Sequence, residues 1–156
     1  MILYHSSSVL VNKPDTLHSR DDIDFGRGFY LTSIRQQAIS YAQRFSRRGK
    51  DAWLNSYTFE HIPSEWKVLT LNAYDRTWLD FITKCRAGKD DTDFDLVIGG
   101  IANDKVIQTL DRYFAGEIDA NQAIGLLKYE KPNIQYCIRS QAMLDRCLIH
   151  IESKKL

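Results

Sequence analysis

The order of strand-like and helix-like segments is the feature that most narrows the folds open to this chain. Seven short segments have strand composition: residues 2–5, 28–32, 52–59, 67–71, 96–98, 134–138 and 147–151. Helix-like segments are inserted between them, but without the regular strand–helix–strand alternation of a parallel sheet. The order therefore predicts an α+β fold.

Two of the inserted segments carry apolar residues at helical spacing. The first contains Ile34, Ala38, Tyr41, Ala42 and Phe45, and the second contains Val106, Ile107, Leu110, Tyr113 and Phe114. Ser33 with Gln36 fits a capping box for the first helix, and Gly116 stands where the second would end. Asp119 and Gln122 predict the start of a third, short helix that runs through residue 127. Further helical segments are expected at residues 73–84 and 141–146.

Length and composition favour one globular domain. The chain has 156 residues, of which 44% are hydrophobic and 26% charged. That size suits a single domain over residues 1–156. The formal net charge of +1 gives no global attraction to nucleic acid or to an anionic membrane. Because neither a signal peptide nor a transmembrane run is recognisable, we expect a cytoplasmic protein with no membrane partner.

The three cysteines indicate no metal site. Cys85, Cys137 and Cys147 are odd in number and lack the close pairing of zinc ligands. We expect them to be reduced and mostly buried. By contrast, the polar, aspartate-rich stretch at residues 6–24 is long for a connection inside a compact domain, which favours a functional loop.

Three separated segments carry the chemistry that the sequence offers. They are residues 4–6 (Tyr-His-Ser), residues 26–32 (Gly-Arg-Gly-Phe-Tyr-Leu-Thr) with Tyr41 downstream, and residues 133–138 (Asn-Ile-Gln-Tyr-Cys-Ile). Each has an ordinary explanation when taken alone. A histidine on a terminal strand is usually a core residue, and a Gly-x-Gly pair usually marks a tight turn. Their order and spacing carry more information than any one of them.

Together the segments resemble the ADP-ribosyltransferases of the diphtheria-toxin and poly(ADP-ribose) polymerase branch. That branch has a histidine on its first strand, a Gly-x-Gly-x-Tyr strand, a second tyrosine one helix later and a late strand with Glu-Tyr. Here these places are taken by His5, by Tyr30 after its two glycines, by Tyr41 and by Gln135-Tyr136. Residues 24–32, 94–100 and 135–138 look more narrowly like a bacterial family of this superfamily. Its members are often encoded beside a small partner, which suggests toxin and antitoxin.

The resemblance implies a fold and a set of roles. The fold would be ADP-ribosyltransferase-like, with split antiparallel β-sheets and flanking and inserted helices. NAD+ would be the co-substrate, without a metal. The implied catalytic residues are His5, Tyr30 and Gln135. The implied NAD+-binding residues are Tyr4, Ser6, Gly26, Arg27, Gly28 and Tyr41.

These roles are chemically coherent. Two tyrosine rings, Tyr30 and Tyr41, can sandwich the flat nicotinamide. An imidazole at His5 can hydrogen-bond a ribose hydroxyl, and the backbone next to it can meet the carboxamide. Glycines at positions 26 and 28 would allow the backbone to approach the ligand closely. We expect His5, Tyr30, Tyr41 and Gln135 to line one cleft.

Gln135 stands where the resemblance places a glutamate, and this leaves three functions open. A neutral amide accepts a hydrogen bond but lacks the negative charge that would stabilise an oxocarbenium ion. The first function is a mono-ADP-ribosyltransferase, with a protein or nucleic-acid acceptor and an antitoxin partner. The second is a non-catalytic NAD-binding or protein-interaction module, and the third is an NAD glycohydrolase. Three further residues are candidates for the substrate side of the pocket: Asp95, Asn103 and Asp104.

Overall fold

Strands and helices alternate irregularly along the chain, as an α+β protein requires. In this computed structural model, which describes residues 1–20 and 22–156, the strands are β1 (Ile2–Ser7), β2 (Phe29–Leu31), β3 (Trp53–Phe59), β4 (Val68–Leu71), β5 (Leu96–Ile101), β6 (Asn133–Ile138) and β7 (Leu148–Lys155). The helices are α1 (Arg35–Arg47), α2 (Arg76–Arg86), α3 (Asp104–Phe114), α4 (Ala120–Leu127) and α5 (Gln141–Cys147), with a 3₁₀ turn at Pro63–Glu65. The predicted α+β class is confirmed.

The strands form two sheets. The first is antiparallel with the order β1-β3-β7, and the second has the order β2-β6-β5-β4. Within the second sheet β2 and β5 both pair antiparallel with β6, whereas β4 and β5 are parallel. The second sheet is therefore mixed, whereas the resemblance implied split antiparallel sheets. Helix α2 connects β4 to β5, which is the kind of crossover that a parallel pair requires.

The two sheets meet where β1 approaches the end of β2. Tyr4 and Thr32 form an isolated antiparallel bridge, in which each backbone N–H donates to the other residue's carbonyl at 2.8 and 3.0 Å. β1 otherwise pairs with β3, and β2 with β6. This bridge therefore joins two edge strands, β1 of the first sheet and β2 of the second, by backbone hydrogen bonds.

Apolar side chains fill both faces of the second sheet. One cluster packs its outer face against α2, α3 and α4, and its fully buried members include Phe25, Trp78 and Leu110. The other cluster fills the space between the sheets and includes Leu3, Phe29 and Leu31. Strand β2 contributes to both clusters, because Phe29 and Leu31 belong to the inner one while Tyr30 packs against the outer one.

Capping explains where most of the helices begin. Asn103 accepts a hydrogen bond from the backbone N–H of Val106, and Asp119 forms a complete capping box with Gln122, as predicted. The predicted capping box of Ser33 and Gln36 is wrong. Helix α1 has Ile34 as its N-cap residue, without a side-chain cap.

Candidate functional site

Tyr30 and Gln135 project from the same face of the second sheet. Tyr30 lies directly opposite Cys137, and Gln135 is two residues from Cys137 on β6. Because side chains alternate along a strand and directly opposed residues share a face, all three point to the same side. The second sheet therefore brings together two of the three predicted catalytic residues from distant parts of the chain.

A chain of hydrogen bonds attaches the start of α1 to this face. The Thr32 hydroxyl donates to the side-chain oxygen Oε1 of Gln37 at 2.8 Å, and Nε2 of the same side chain donates to Asn133 Oδ1 at 2.5 Å. Asn133 shares its face of β6 with Gln135, because the two are separated by one residue. Tyr41 follows Gln37 by one helical turn and is 49% exposed. The helix is thus anchored beside Gln135 with Tyr41 on the anchored side.

The Gln135 amide makes no hydrogen bond within the described part of the chain. The side chain is half-buried, and no described side-chain nitrogen or oxygen is both buried and without a partner. The amide of Gln135 must therefore be open to solvent. It offers one acceptor and two donor hydrogens to a bound molecule.

His5 enters the site at the split between the sheets. Its Nδ1 lies 2.8 Å from the carbonyl oxygen of Tyr30, and its ring packs on Phe29 with centroids 4.3 Å apart. The Phe29 side chain leaves β2 on the opposite face from that of Tyr30. His5 therefore contacts the backbone of Tyr30 and not its ring. That His5 and Tyr41 line the same cleft as Gln135 stays a prediction.

The surroundings of His5 define its protonation. Burial lowers the pKa of His5, while the hydrogen bond with Tyr30 acts in the opposite direction and is the weaker effect. Because a carbonyl only accepts, Nδ1 must carry the proton. In the neutral ring Nε2 is then an acceptor, and among the described residues it has no partner.

The Tyr30 hydroxyl is engaged by the glycine loop that precedes its strand. It donates to the Gly26 carbonyl at 2.6 Å and accepts from the Phe25 N–H at 3.0 Å. The Phe25 and Tyr30 rings are nearly parallel, with centroids 6.2 Å apart. Burial raises the pKa of Tyr30, so its hydroxyl stays protonated. The Tyr30 hydroxyl therefore holds the glycine loop in place, while its ring packs beside that of Phe25.

The two glycines have structural reasons that involve no ligand. Gly26 has a φ of +75° and open space around the position of a Cβ. A Cβ at Gly28 would lie 2.5 Å from Cys137 Sγ and 2.8 Å from the Ile138 carbonyl oxygen. Gly26 thus permits the turn, and Gly28 permits the close approach of β6. Arg27, between them, is exposed and borders a surface cavity of about 400 Å³.

Tyr4 and Ser6 connect β1 to its neighbours. Tyr4 is half-buried and forms the bridge to Thr32 described above. Ser6 is buried, and its hydroxyl donates to the Ala38 carbonyl in α1. The side chain of Ser6 therefore occupies the space between β1 and α1, where a glycine would leave room.

The three substrate-side candidates do not lie together. The Asp95 carboxylate accepts from the Lys67 backbone N–H at 2.8 Å, and the Asp95 carbonyl accepts from the Arg139 backbone N–H at 2.7 Å. Arg139 is four residues beyond Gln135, which corresponds to about 13 Å along a strand. Asn103 and Asp104 lie near the other end of β5, where Asn103 caps α3 and Asp104 is exposed.

Two polar residues with several internal hydrogen bonds, the half-buried Asp24 and the buried Asn55, were not among the candidates. Asp24 accepts from the Arg86 guanidinium and, at 2.9 Å, from the Ala102 backbone N–H, which fixes the loop before Gly26. Asn55 is completely buried and bonds to the His5 carbonyl, to Val11 and to Ser153. Their partners are distant in sequence, and the position of Asp24 directly before the glycine motif is the one signal that pointed to it.

Neither Tyr30 nor Gln135 borders the two surface cavities of the described residues. The cavity beside Arg27 also contains the buried Asp90–Arg139 ion pair, and a second cavity of about 610 Å³ is bordered by His61, Trp66 and Arg146. Within residues 1–20 and 22–156, no three potential metal ligands are grouped. None of the helices in that part of the chain is long and apolar enough to cross a membrane.

Comparison with known proteins gives one match. The model of the family described as "Protein of unknown function (DUF3990)" matches residues 1–149. No curated protein and no solved structure matches the chain.

Proposed function

The chain belongs to the family described as "Protein of unknown function (DUF3990)", and from the site described above we propose that it transfers ADP-ribose from NAD+ to another molecule. The observation that carries the proposal is the shared face of Tyr30 and Gln135, with the Gln135 amide open to solvent. Residues 26–32 and 133–138 supply the two neighbouring strands of this face, and His5 of the first segment contacts the backbone of Tyr30. We propose the finer fold assignment, an ADP-ribosyltransferase-like split of two sheets, on the same ground.

The reaction exchanges one bond at the nicotinamide ribose. The bond between C1′ and the nicotinamide nitrogen breaks, and its electron pair neutralises the pyridinium ring. A nucleophilic atom of the acceptor forms the new bond to C1′ and gives up its proton to a base or to water. Since the sugar becomes oxocarbenium-like between these events, catalysis depends on holding it in position.

The open groups of the site fit NAD+. The side-chain carbonyl oxygen of Gln135 is free to accept a hydrogen bond from a hydroxyl of the nicotinamide ribose. Nε2 of neutral His5 is an acceptor for a hydroxyl of the adenosine ribose. Tyr30 and the exposed Tyr41 offer rings to the nicotinamide, whose positive charge before bond cleavage favours contact with an aromatic face. Tyr4, Ser6, Gly26, Arg27 and Gly28 would form the surrounding NAD+-binding wall.

Two observations favour a second function, NAD+ binding without transfer. Gln135 has no charge to offer the oxocarbenium ion, and Ser6 fills space between β1 and α1. An NAD glycohydrolase differs from the first proposal because water captures the sugar. The antitoxin partner belongs to the first proposal, since a toxin that modifies cellular molecules requires an inhibitor.

The three functions are separated by following the label of adenylate-labelled NAD+. The protein is incubated with this NAD+ and a cell lysate, and protein, RNA, DNA and small molecules are then fractionated. Transfer predicts covalent label in a macromolecular fraction, together with released nicotinamide. Free ADP-ribose alone would indicate the glycohydrolase. Saturable NAD+ binding without nicotinamide release would overturn both enzymatic functions.

A further inference from the structure

The surface of α1 carries a local excess of positive charge. Residues 35–50 contain five basic residues and no Asp or Glu, although the whole chain has a net charge of only +1. All five are exposed, and none has a carboxylate within ion-pair distance among the described residues: Arg35, Arg44, Arg47, Arg48 and Lys50. Four of them follow Tyr41, so the charge is concentrated at the end of the helix. We call this group of four, residues 44, 47, 48 and 50, the basic end of α1.

The basic end continues directly from the proposed NAD+ site. Gln37, Tyr41, Arg44 and Arg48 follow one another at intervals of four, three and four residues, which places them on one side of α1. Gln37 bonds to Asn133 beside Gln135, and the Arg44 guanidinium lies 4.8 Å from the centre of the Tyr41 ring. We call these four residues the stripe. From Gln37 to Arg48 the stripe extends about 16 Å at the rise of an α-helix.

The helix dipole explains only part of this pattern. Positive charge in the last turn is stabilising, which accounts for Arg44 and Arg47. It does not account for the absence of acidic residues over the whole segment or for the alignment with Gln37 and Tyr41. The nearest carboxylate in sequence, Asp51, is paired with Lys155. A surface of uncompensated, exposed cations beside a reaction site is complementary to a polyanion.

We infer that single-stranded nucleic acid binds along this stripe and is the acceptor of the proposed transfer. The acceptor role rests on the proposed function, whereas the binding of nucleic acid does not. Phosphates would contact the basic end, so that a nucleotide further along the strand reaches Gln135. A single strand suits this arrangement because its unpaired bases can approach the site without being flipped out of a duplex.

The binding is tested with labelled single-stranded RNA and DNA of about 12 nucleotides, without NAD+. Anisotropy is measured for the wild type and for Arg47→Gln/Arg48→Gln, which we call the α1 variant. The control is Lys84→Gln/Lys89→Gln, which removes two exposed charges near the end of α2. We expect the first variant to bind roughly tenfold more weakly and its plot of log affinity against log salt to be shallower by about 1.4. The control should bind like the wild type.

Three results would overturn the inference. The first is equal binding by the wild type and the α1 variant, or an equal loss in the control. The second is a fall in NAD+ affinity in the α1 variant, because the stripe would then hold the phosphates of NAD+. The third is binding to vesicles of phosphatidylserine and phosphatidylcholine, lost in the α1 variant, without binding to either oligonucleotide.

The role as acceptor is tested separately with adenylate-labelled NAD+ and the oligonucleotide that binds best. Label on the oligonucleotide, reduced in the α1 variant, supports the inference. Label that appears only on protein while the oligonucleotide is bound would overturn the acceptor role. If no nicotinamide is released under any condition, the proposed function fails, and the anisotropy data still decide whether the stripe binds nucleic acid.

Discussion

Gln135 and His5 differ from their neighbours in having polar atoms that the described fold does not use. Every buried side-chain nitrogen or oxygen of the described residues has a hydrogen-bond partner, as in the buried Asn55, and the half-buried Asp24 is also satisfied internally. The Gln135 amide and His5 Nε2 are open instead, and they belong to strands that are far apart in sequence. A polar group left open at the junction of two sheets is available for a ligand.

Substitution of Gln135 tests whether its amide orients the ribose. Gln135→Ala should slow nicotinamide release by a factor on the order of a hundred, because the reacting sugar is no longer held. Gln135→Glu keeps the shape and adds a charge that stabilises the oxocarbenium ion, so the rate should be preserved or raised, with a new loss at acid pH as the carboxylate gains a proton. A folded Ala variant with the wild-type rate of NAD+ cleavage would exclude a catalytic role for Gln135.

Tyr30 combines a ring with a structural hydroxyl, and two substitutions separate these roles. Tyr30→Phe removes two hydrogen bonds to the glycine loop and should lower the free energy of unfolding by about 1–3 kcal/mol. Tyr30→Ala should in addition weaken NAD+ binding by about 1–3 kcal/mol through the lost aromatic contact. Urea unfolding and calorimetric titration measure the two effects.

Tyr129→Phe is the matched control, because Tyr129 is 81% exposed and its hydroxyl forms no hydrogen bond with a described residue. Its stability should equal that of the wild type. Equal NAD+ affinity in the wild type and a folded Tyr30→Ala protein would remove Tyr30 from the binding site.

Strand β2 is the element on which the geometry of the site depends. It has only three residues, yet it pairs with β6, leads into α1 and contributes side chains to both apolar clusters. Its position relative to β6 is set by Gly28, where any Cβ would collide with Cys137 and with the Ile138 carbonyl. The spacing of these two strands therefore requires a glycine just before β2.

Gly28→Ala should separate β2 from β6 and destabilise the protein by about 1–3 kcal/mol, the usual cost of overpacking. The control is Gly125→Ala in α4, where a Cβ would meet no atom within 4 Å. Alanine there should stabilise the protein by about 0.5–1 kcal/mol through helix propensity. Thermal unfolding measures both changes. A Gly28→Ala protein as stable as the wild type would contradict the prediction, because β6 would then move aside without cost.

The sequence predicted those helix starts that depend on neighbouring residues. The Asn103 cap and the box of Asp119 and Gln122 involve side chains and backbone three residues apart, so their signals are local. The start of α1 was predicted wrongly because Thr32 accepts from the Ile34 N–H in a segment already held by the bridge to Tyr4. Long-range pairing decided the geometry there.

The same distinction applies to the candidate site. That Tyr30 and Gln135 share a face follows from the register of β2 on β6, which no local pattern contains. Asp24 was missed because its partners Arg86 and Ala102 are 62 and 78 residues away. Asp95 and Asn103 are close in sequence, but strand β5 runs between them, and its extended backbone places them at opposite ends of the strand. Spacing along the chain is a poor guide once an extended strand intervenes.

Across the whole molecule, His5 lies where the two sheets join, and its titration should therefore affect global stability. The unperturbed pKa of histidine is 6.5, and burial lowers the pKa of His5 in the fold. As the pH falls below about 6.5, the unfolded chain takes up a proton that the folded protein resists. The stabilisation by neutral His5 is thus complete above that pH and is lost as the pH falls toward the depressed value.

We expect the free energy of unfolding of the wild type to fall as the pH is lowered below about 6.5, and this fall to be smaller in His5→Gln. Urea unfolding at a series of pH values measures it. Between about pH 7 and pH 8 the two proteins should show parallel curves, which serves as the internal reference. Identical pH dependence of the two proteins over the whole range would contradict the lowered pKa of His5.

The position of β6 in the second sheet has a consequence for synthesis of the chain. β6 lies between β2 and β5, although residues 133–138 are translated long after both of them. A nascent chain emerges from its amino end, so β2 and β5 have no common neighbour until these residues leave the ribosome. A fragment that ends before residue 133 lacks Gln135, and it also lacks the strand that places Tyr30 opposite that residue. The site is therefore assembled only after residues 133–138 have left the ribosome.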